Sequence, residues 1–114
     1  MQLNEQHCLN ATPPHLLTKK NLVKYLKEIP LWNINTEKKN ISRKFKFTNY
    51  HQTLKFINAV AEIINQENHH PEINFGYNYC TVCFSTHSAG GITLFDFICA
   101  AHIDQLISTV DFNL

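Results

Sequence analysis

The chain has 114 residues, 44% hydrophobic and 11% aromatic, which is enough apolar surface for one core and too little length for two. Ten Lys plus Arg against nine Asp plus Glu leave a formal charge of +1, so the broad positive field that carries a protein onto nucleic acid is absent. No apolar run approaches the roughly 20 residues that cross a bilayer, and MQLNEQHCLN places amides and charge where an export signal needs an apolar core, so the expectation is a cytoplasmic protein with reduced cysteines.

The pattern predicts a single domain over 1–114, with 1–11 a flexible lead stiffened by Thr12-Pro13-Pro14. Thr18 is placed to cap a helix with an apolar side of Leu22, Tyr25, Leu26 and Ile29, and Pro30 stops it. Leu31–Asn35 and Ile41–Phe47 read as two strands joined by a polar turn; in the second, Ile41, Arg43, Phe45 and Phe47 alternate with Ser42, Lys44 and Lys46. Asn49, with Gln52 three residues on, opens a helix to about Asn65, with Tyr50, Leu54, Ile57, Val60, Ala61 and Ile64 as the expected buried stripe.

From Ile73 to Thr86 the composition turns aromatic and β-branched, and Gly76 divides a short strand from a longer one over Tyr79–Thr86. Thr93 and Asp96 make a capping box for a last helix with an apolar face of Phe95, Ile98, Cys99, Ile103, Leu106 and Val110; Phe97 and Ile107 fall outside it and are candidates for a subunit contact. The element order predicts an α+β fold, one four-stranded antiparallel sheet with about three helices on one face.

Histidine titrates near neutrality, about pH 6.5, so a group of imidazoles suits proton-transfer chemistry. His69 and His70 follow a helix end, and Pro71 forces His70 toward extended backbone, so the two rings point apart. Strand alternation puts His87 on the side of Tyr79, Thr81, Cys83 and Ser85, at the strand's mouth. His7, His15 and His51 lie in polar surroundings and are expected to be solvent-exposed; His102, between Ile98 and Leu106, is expected at the core boundary. Cys80 and Cys83 have a metal-motif spacing, but residues three apart on a strand face opposite ways, so they are expected to be packing thiols.

Around these histidines the chain resembles the pterin-4a-carbinolamine dehydratases. That family's pattern is an acidic residue, three residues, His-His-Pro, five residues, an aromatic, nine residues, a histidine, and an aspartate somewhat later. Here His69-His70-Pro71, Tyr77, His87 and Asp96 stand at those spacings, and Asn65 occupies the acidic position, with Glu62 and Glu67 near it. The Leu31-Trp32 segment, the Ser42–Phe47 strand and Asp96-Phe97-Ile98 are also similar to the family.

The resemblance implies dehydration of a 4a-hydroxytetrahydropterin to the quinonoid dihydropterin, recycling the cofactor of an aromatic amino acid hydroxylase, with no metal and no cofactor. It implies His69 and His87 as general acids, His70 as pterin holder and possible base, Asp96 as the residue orienting His87, and the backbone of Ser85 and Thr86 along the pterin edge. Pro71, Tyr77 and Asn65 complete the implied binding set. A homodimer or tetramer is implied too. Two other classes stand beside this one: a non-enzymatic dimerisation partner of a transcriptional regulator, and a zinc hydrolase using His69, His70 and His87, which the divergence of the doublet disfavours.

Overall fold

The computed structural model describes residues 2–10 and 14–112, so Thr12 and Pro13 of the expected stiff lead lie outside the described residues. Thr18 accepts the Asn21 amide at 3.3 Å and starts α1, Lys19–Leu26. After Pro30 come β1, Asn33–Asn35, and β2, Asn40–Lys46, paired antiparallel with Ile34 opposite Ile41. Leu31, expected to begin the first strand, lies outside it and is exposed.

Asn49 accepts the Gln52 amide at 3.0 Å and opens α2, Tyr50–Glu67. The helix ends at Asn68, whose φ of 51° is the left-handed conformation in which Asn serves as a helix terminator. β3, Glu72–Phe75, and β4, Tyr79–Phe84, follow; Thr93 and Asp96 close a capping box at the start of α3, Leu94–Thr109. The fold is α+β, with three helices and an antiparallel sheet of order β1-β2-β4-β3. β4 is therefore an inner strand, flanked by β2 and β3.

Alternation along β4 sorts the sheet's two sides. Cys80, Val82 and Phe84 are buried, while Tyr79, Thr81 and Cys83 are partly open on the other side. Ile41, Phe45 and Phe47 join the buried side, and Phe45 and Phe47 meet Phe56 of α2 at ring separations of 4.7 and 5.1 Å. Arg43 shares that inward register; its guanidinium lies over the Phe45 ring and donates to Asp104 of α3 at 2.7 Å, where Trp32 Nε1 donates as well. Among the described residues, no helix is long and apolar enough to cross a membrane.

Three expectations are corrected. In α2 the buried positions are Gln52, Thr53, Phe56, Val60, Ile64 and Glu67, whereas Tyr50 and Ala61 are exposed and Leu54 and Ile57 half-buried. Apolar residues wrap more than half of this helix, so two stripes of the same period compete, and the bulk of Phe56 takes the core. Phe97 is fully buried against Tyr25 and is no free contact surface, whereas Ile107 is half-buried at the edge of the core. Residues 2–10, expected as a flexible lead, are packed: Leu3 and Cys8 belong to the core, and Glu28 accepts the Leu3 amide at 2.9 Å.

Candidate functional site

The left-handed turn at Asn68 delivers His69 and His70 to opposite sides of the sheet's end. His69 goes to the helix side, its ring parallel to Phe84 at 5.9 Å and edge-on to Phe95. Its side chain is 12% exposed, and Nε2–H donates to Asp96 Oδ1 at 2.6 Å. His70 is exposed and goes to the open side. The divergence expected from Pro71 is thus realised as a division of the pair between two environments.

Asp96 is fully buried, and its second oxygen accepts the Thr93 amide at 2.8 Å and the Thr86 hydroxyl at 3.0 Å. Three donors satisfy the oxygens of this sealed carboxylate. The Thr93 hydroxyl in turn donates to Thr86 Oγ1 at 2.8 Å. Asp96 therefore serves His69, and the expected pairing with His87 is corrected: the capping role fixes this side chain at the helix start, on the His69 side.

His87 starts a short turn, His87–Ala89, that ends at Gly90 with φ 77°, a conformation that favours glycine. A Cβ at Gly91 would meet the end of the exposed Leu16 side chain at 2.8 Å, so Leu16 packs closely over the return from this turn. The turn points the exposed His87 toward the open side of β4. There His70 and His87 line one cleft of about 370 Å³, together with Pro71, Glu72, Cys83 and Ser85; Lys38 and Asn40 close it from the β1–β2 turn. A volume of this size suits a bicyclic heterocycle.

The cleft is electrostatically mixed, with Glu72 and Lys38 on its walls. Burial first, then the carboxylates of Glu72 and Asp96, push the Cys83 thiol above its ordinary 9.0, so it is a neutral wall group and no nucleophile. Ser85 Oγ donates to the Lys39 carbonyl at 2.8 Å, which fixes its rotamer and ties β4 to the β1–β2 turn.

Three other implied binding residues stand elsewhere. The Thr86 amide donates to the Gly91 carbonyl at 2.9 Å and its carbonyl accepts the Gly91 amide at 3.2 Å, so its backbone is already paired and not offered to a ligand edge. Tyr77 is 64% exposed and stacks parallel to Tyr50, away from the cleft lining; its carbonyl accepts the Thr53 hydroxyl at 3.0 Å. Asn65 lies on the exposed side of α2 and is not part of the lining. Glu67, near that position, is turned inward and does not supply the missing acid.

Glu67 belongs to a second cluster that sequence reasoning missed. Its Oε1 accepts the Cys8 amide at 2.7 Å, and Oε2 accepts His7 Nδ1–H at 2.6 Å. His7 is thus no solvent bystander, and its ring lies 5.0 Å from that of His102. His102 is the boundary histidine expected, donating Nε2–H to the Gln6 carbonyl at 2.7 Å. Burial alone would raise the Glu67 carboxyl, but the bonds from His7 and Cys8 and the nearby imidazoles outweigh it and hold it below the usual 4.5. Cys80 and Cys83 face opposite ways as expected, and all four cysteines are free thiols.

A small α+β domain with two imidazoles from separate loops in one sheet-end cleft is a frame for binding or proton transfer on a small ring system. The family model described as Pterin 4 alpha carbinolamine dehydratase matches residues 15–106, and the chain belongs to that family. A relative from Legionella pneumophila (strain Corby), carrying pterin-4-alpha-carbinolamine dehydratase as a provisional name, is 50% identical over 76 residues, 67% of each chain. One from Nitrosospira multiformis with the same provisional name is 44% identical over 99 residues, 87% of this chain and 84% of the relative. Among solved structures, a transcriptional coactivator/pterin dehydratase from Brucella melitensis superposes with a TM-score of 0.74 at 28% identity, over 79% of this chain and 96% of that one. A pterin dehydratase-like protein described as a RuBisCO assembly factor in the alpha-carboxysome gives 0.58 at 26% identity, over 69% and 92%.

Proposed function

We propose that the chain dehydrates a 4a-hydroxytetrahydropterin to the quinonoid dihydropterin in the cytoplasm, restoring pterin spent by an aromatic amino acid hydroxylase. The observation that carries this reading is the sharing of one cleft by His70, from the loop before β3, and His87, from the turn after β4. Loss of water from carbon 4a needs a proton on the departing hydroxyl and removal of the proton on ring nitrogen 5. Two imidazoles facing one cleft serve both transfers at neutral pH, each worth about 100 to 10,000-fold. The scheme uses no resident metal or cofactor.

Placement supports the following roles. His87 delivers the proton to the hydroxyl, and His70, across the cleft, holds the ring and accepts the nitrogen-5 proton. The family resemblance gives His69 an acid role; its small exposure and its bond to Asp96 favour a positioning role, in which the His69–Asp96 pair anchors the peptide that carries His70. The zinc-hydrolase reading loses support, because His69 goes to one side and His70 and His87 to the other.

The test is a spectrophotometric dehydration assay on freshly generated 4a-hydroxytetrahydropterin. Wild type is expected to accelerate the reaction, His87→Ala to lose about 100 to 10,000-fold in kcat/KM, and His70→Ala to raise KM as well as lower kcat. Full rate in a His70→Ala, His87→Ala double variant would overturn the proposal.

A second reading is favoured by one feature. Tyr50, Phe75 and Tyr77 form an exposed aromatic cluster, with Tyr50 6.4 Å from Phe75 and 6.5 Å from Tyr77. Such a surface suits self-association as a dimer or tetramer, or docking of a regulator, as the name of the Brucella relative suggests. Stoichiometric binding to a regulator with no pterin turnover would select it over the enzyme.

A further inference from the structure

We propose that His7, Glu67 and His102 form a binding site for one divalent transition-metal ion of the zinc type, separate from the dehydration cleft. The proposal does not depend on the dehydratase reading.

The donor set is two imidazole nitrogens and one carboxylate oxygen, and the three ligand atoms all lie within 4.8 Å of one another. Zinc bonds of about 2.0–2.2 Å in tetrahedral geometry need ligand atoms about 3.4 Å apart. The observed separations bracket that value: 2.6 Å from His7 Nδ1 to Glu67 Oε2, and 4.0 Å from His102 Nε2 to the same oxygen. Side-chain shifts of less than about 1 Å bring both to bonding geometry. The two ring centres lie 5.0 Å apart. The ring planes are 24° apart, so a modest tilt of the partly exposed His7 ring is what aims both nitrogens at one ion.

The surroundings favour an ion as well as a proton. Glu67 is 3% exposed, and its other oxygen is held by the Cys8 amide, so Oε2 is pre-set as a single ligand with its partner oxygen satisfied. A divalent ion on Oε2 would pair the charge of this buried carboxylate directly. The His7 side chain is 39% exposed, which leaves a path from solvent and a position for water as fourth ligand. Binding requires each ring to carry its proton on the other nitrogen, His7 on Nε2 and His102 on Nδ1, so that His7 Nδ1 and His102 Nε2 face the ion and His102 lets go of the Gln6 carbonyl. The thiols of Cys8 and Cys99 point at each other 4.0 Å apart, so they are not ligands here. The bound ion fastens the N-terminal segment to the end of α2 and the middle of α3.

Zinc chloride and cobalt chloride are the probes, used on the full chain at pH 7.5. Equilibrium dialysis is expected to retain one zinc per chain, and zinc at a hundredfold excess over its dissociation constant to raise the thermal midpoint by about 10 °C. Cobalt is expected to give visible d–d bands without the near-ultraviolet band of thiolate ligation. His7→Ala and Glu67→Gln should each abolish retention and shift, while His70→Ala and His87→Ala keep both. His7→Gln, which keeps a donor for Glu67 but removes the imidazole, should also lose retention, and its urea-unfolding midpoint separates loss of the ligand from loss of the fold. No retained zinc in wild type, retention unchanged in His7→Ala, or retention lost with His70 or His87 would overturn the proposal.

Discussion

Asp96 and Glu67 are both buried helix carboxylates, and each accepts a histidine and a backbone amide. Their partners differ in origin. Asp96 draws on His69, Thr86 and Thr93, all from segments that the sheet and α3 themselves fix. Glu67 draws on His7 and Cys8, both from the N-terminal segment. A carboxylate satisfied by the core is set once the fold forms, whereas one satisfied by a terminal segment depends on that segment staying docked.

Asp96→Ala is expected to give the larger loss, about 3–5 kcal/mol in urea unfolding, because it strands His69 and the hydroxyl of Thr86 in a sealed site. Dehydration should fall with it, since the doublet loses its anchor. Glu67→Ala is expected to cost about 1–3 kcal/mol, the penalty of one buried unsatisfied amide, because His7 is free to turn to water. Equal losses would break the distinction between the two carboxylates. Dehydration by His7→Ala at the wild-type rate would sharpen it.

Acid offers a finer probe of Glu67. Its folded-state value lies below the ordinary 4.5, so its contribution to stability is fully present above the unfolded value and is lost as pH falls through the folded one. Between about pH 5 and pH 3, wild type should lose stability more steeply than Glu67→Gln, which has no proton to gain there. Parallel curves in urea titrations at those pH values would contradict the bonding described for Glu67.

Local rules carried much of the fold. Thr18, Asn49 and Thr93 are visible as caps because each rule involves only neighbours along the chain, and the strict alternation of Ile41–Phe47 marked its strand. The face of α2 was not legible, since which of two equally periodic stripes is buried depends on the sheet opposite, here Phe45 and Phe47. The histidine pattern pointed to His69, His70 and His87 around one site, of which the structure brings His70 and His87 to one cleft and sends His69 to the other side. It did not locate the partner of Asp96, because the choice between His69 and His87 is made by which side of β4 each loop reaches. The His7–Glu67–His102 cluster had no sequence signal: its members are far apart along the chain, and polar neighbours made His7 look solvated.

The smallest effect is expected at Asn65, where the family pattern carries an acid. If that acid acted by contact with the substrate, Asn65→Glu should restore a large factor in rate. The structure places this residue on the exposed side of α2, outside the cleft lining. A carboxylate added there interacts through water and salt, an arrangement worth about 1 kcal/mol at most. The dehydration rate of Asn65→Glu should therefore stay within about fivefold of wild type. A gain of a hundredfold or more would mean that the end of α2 swings over the cleft when substrate binds, bringing this side chain to the ring from outside.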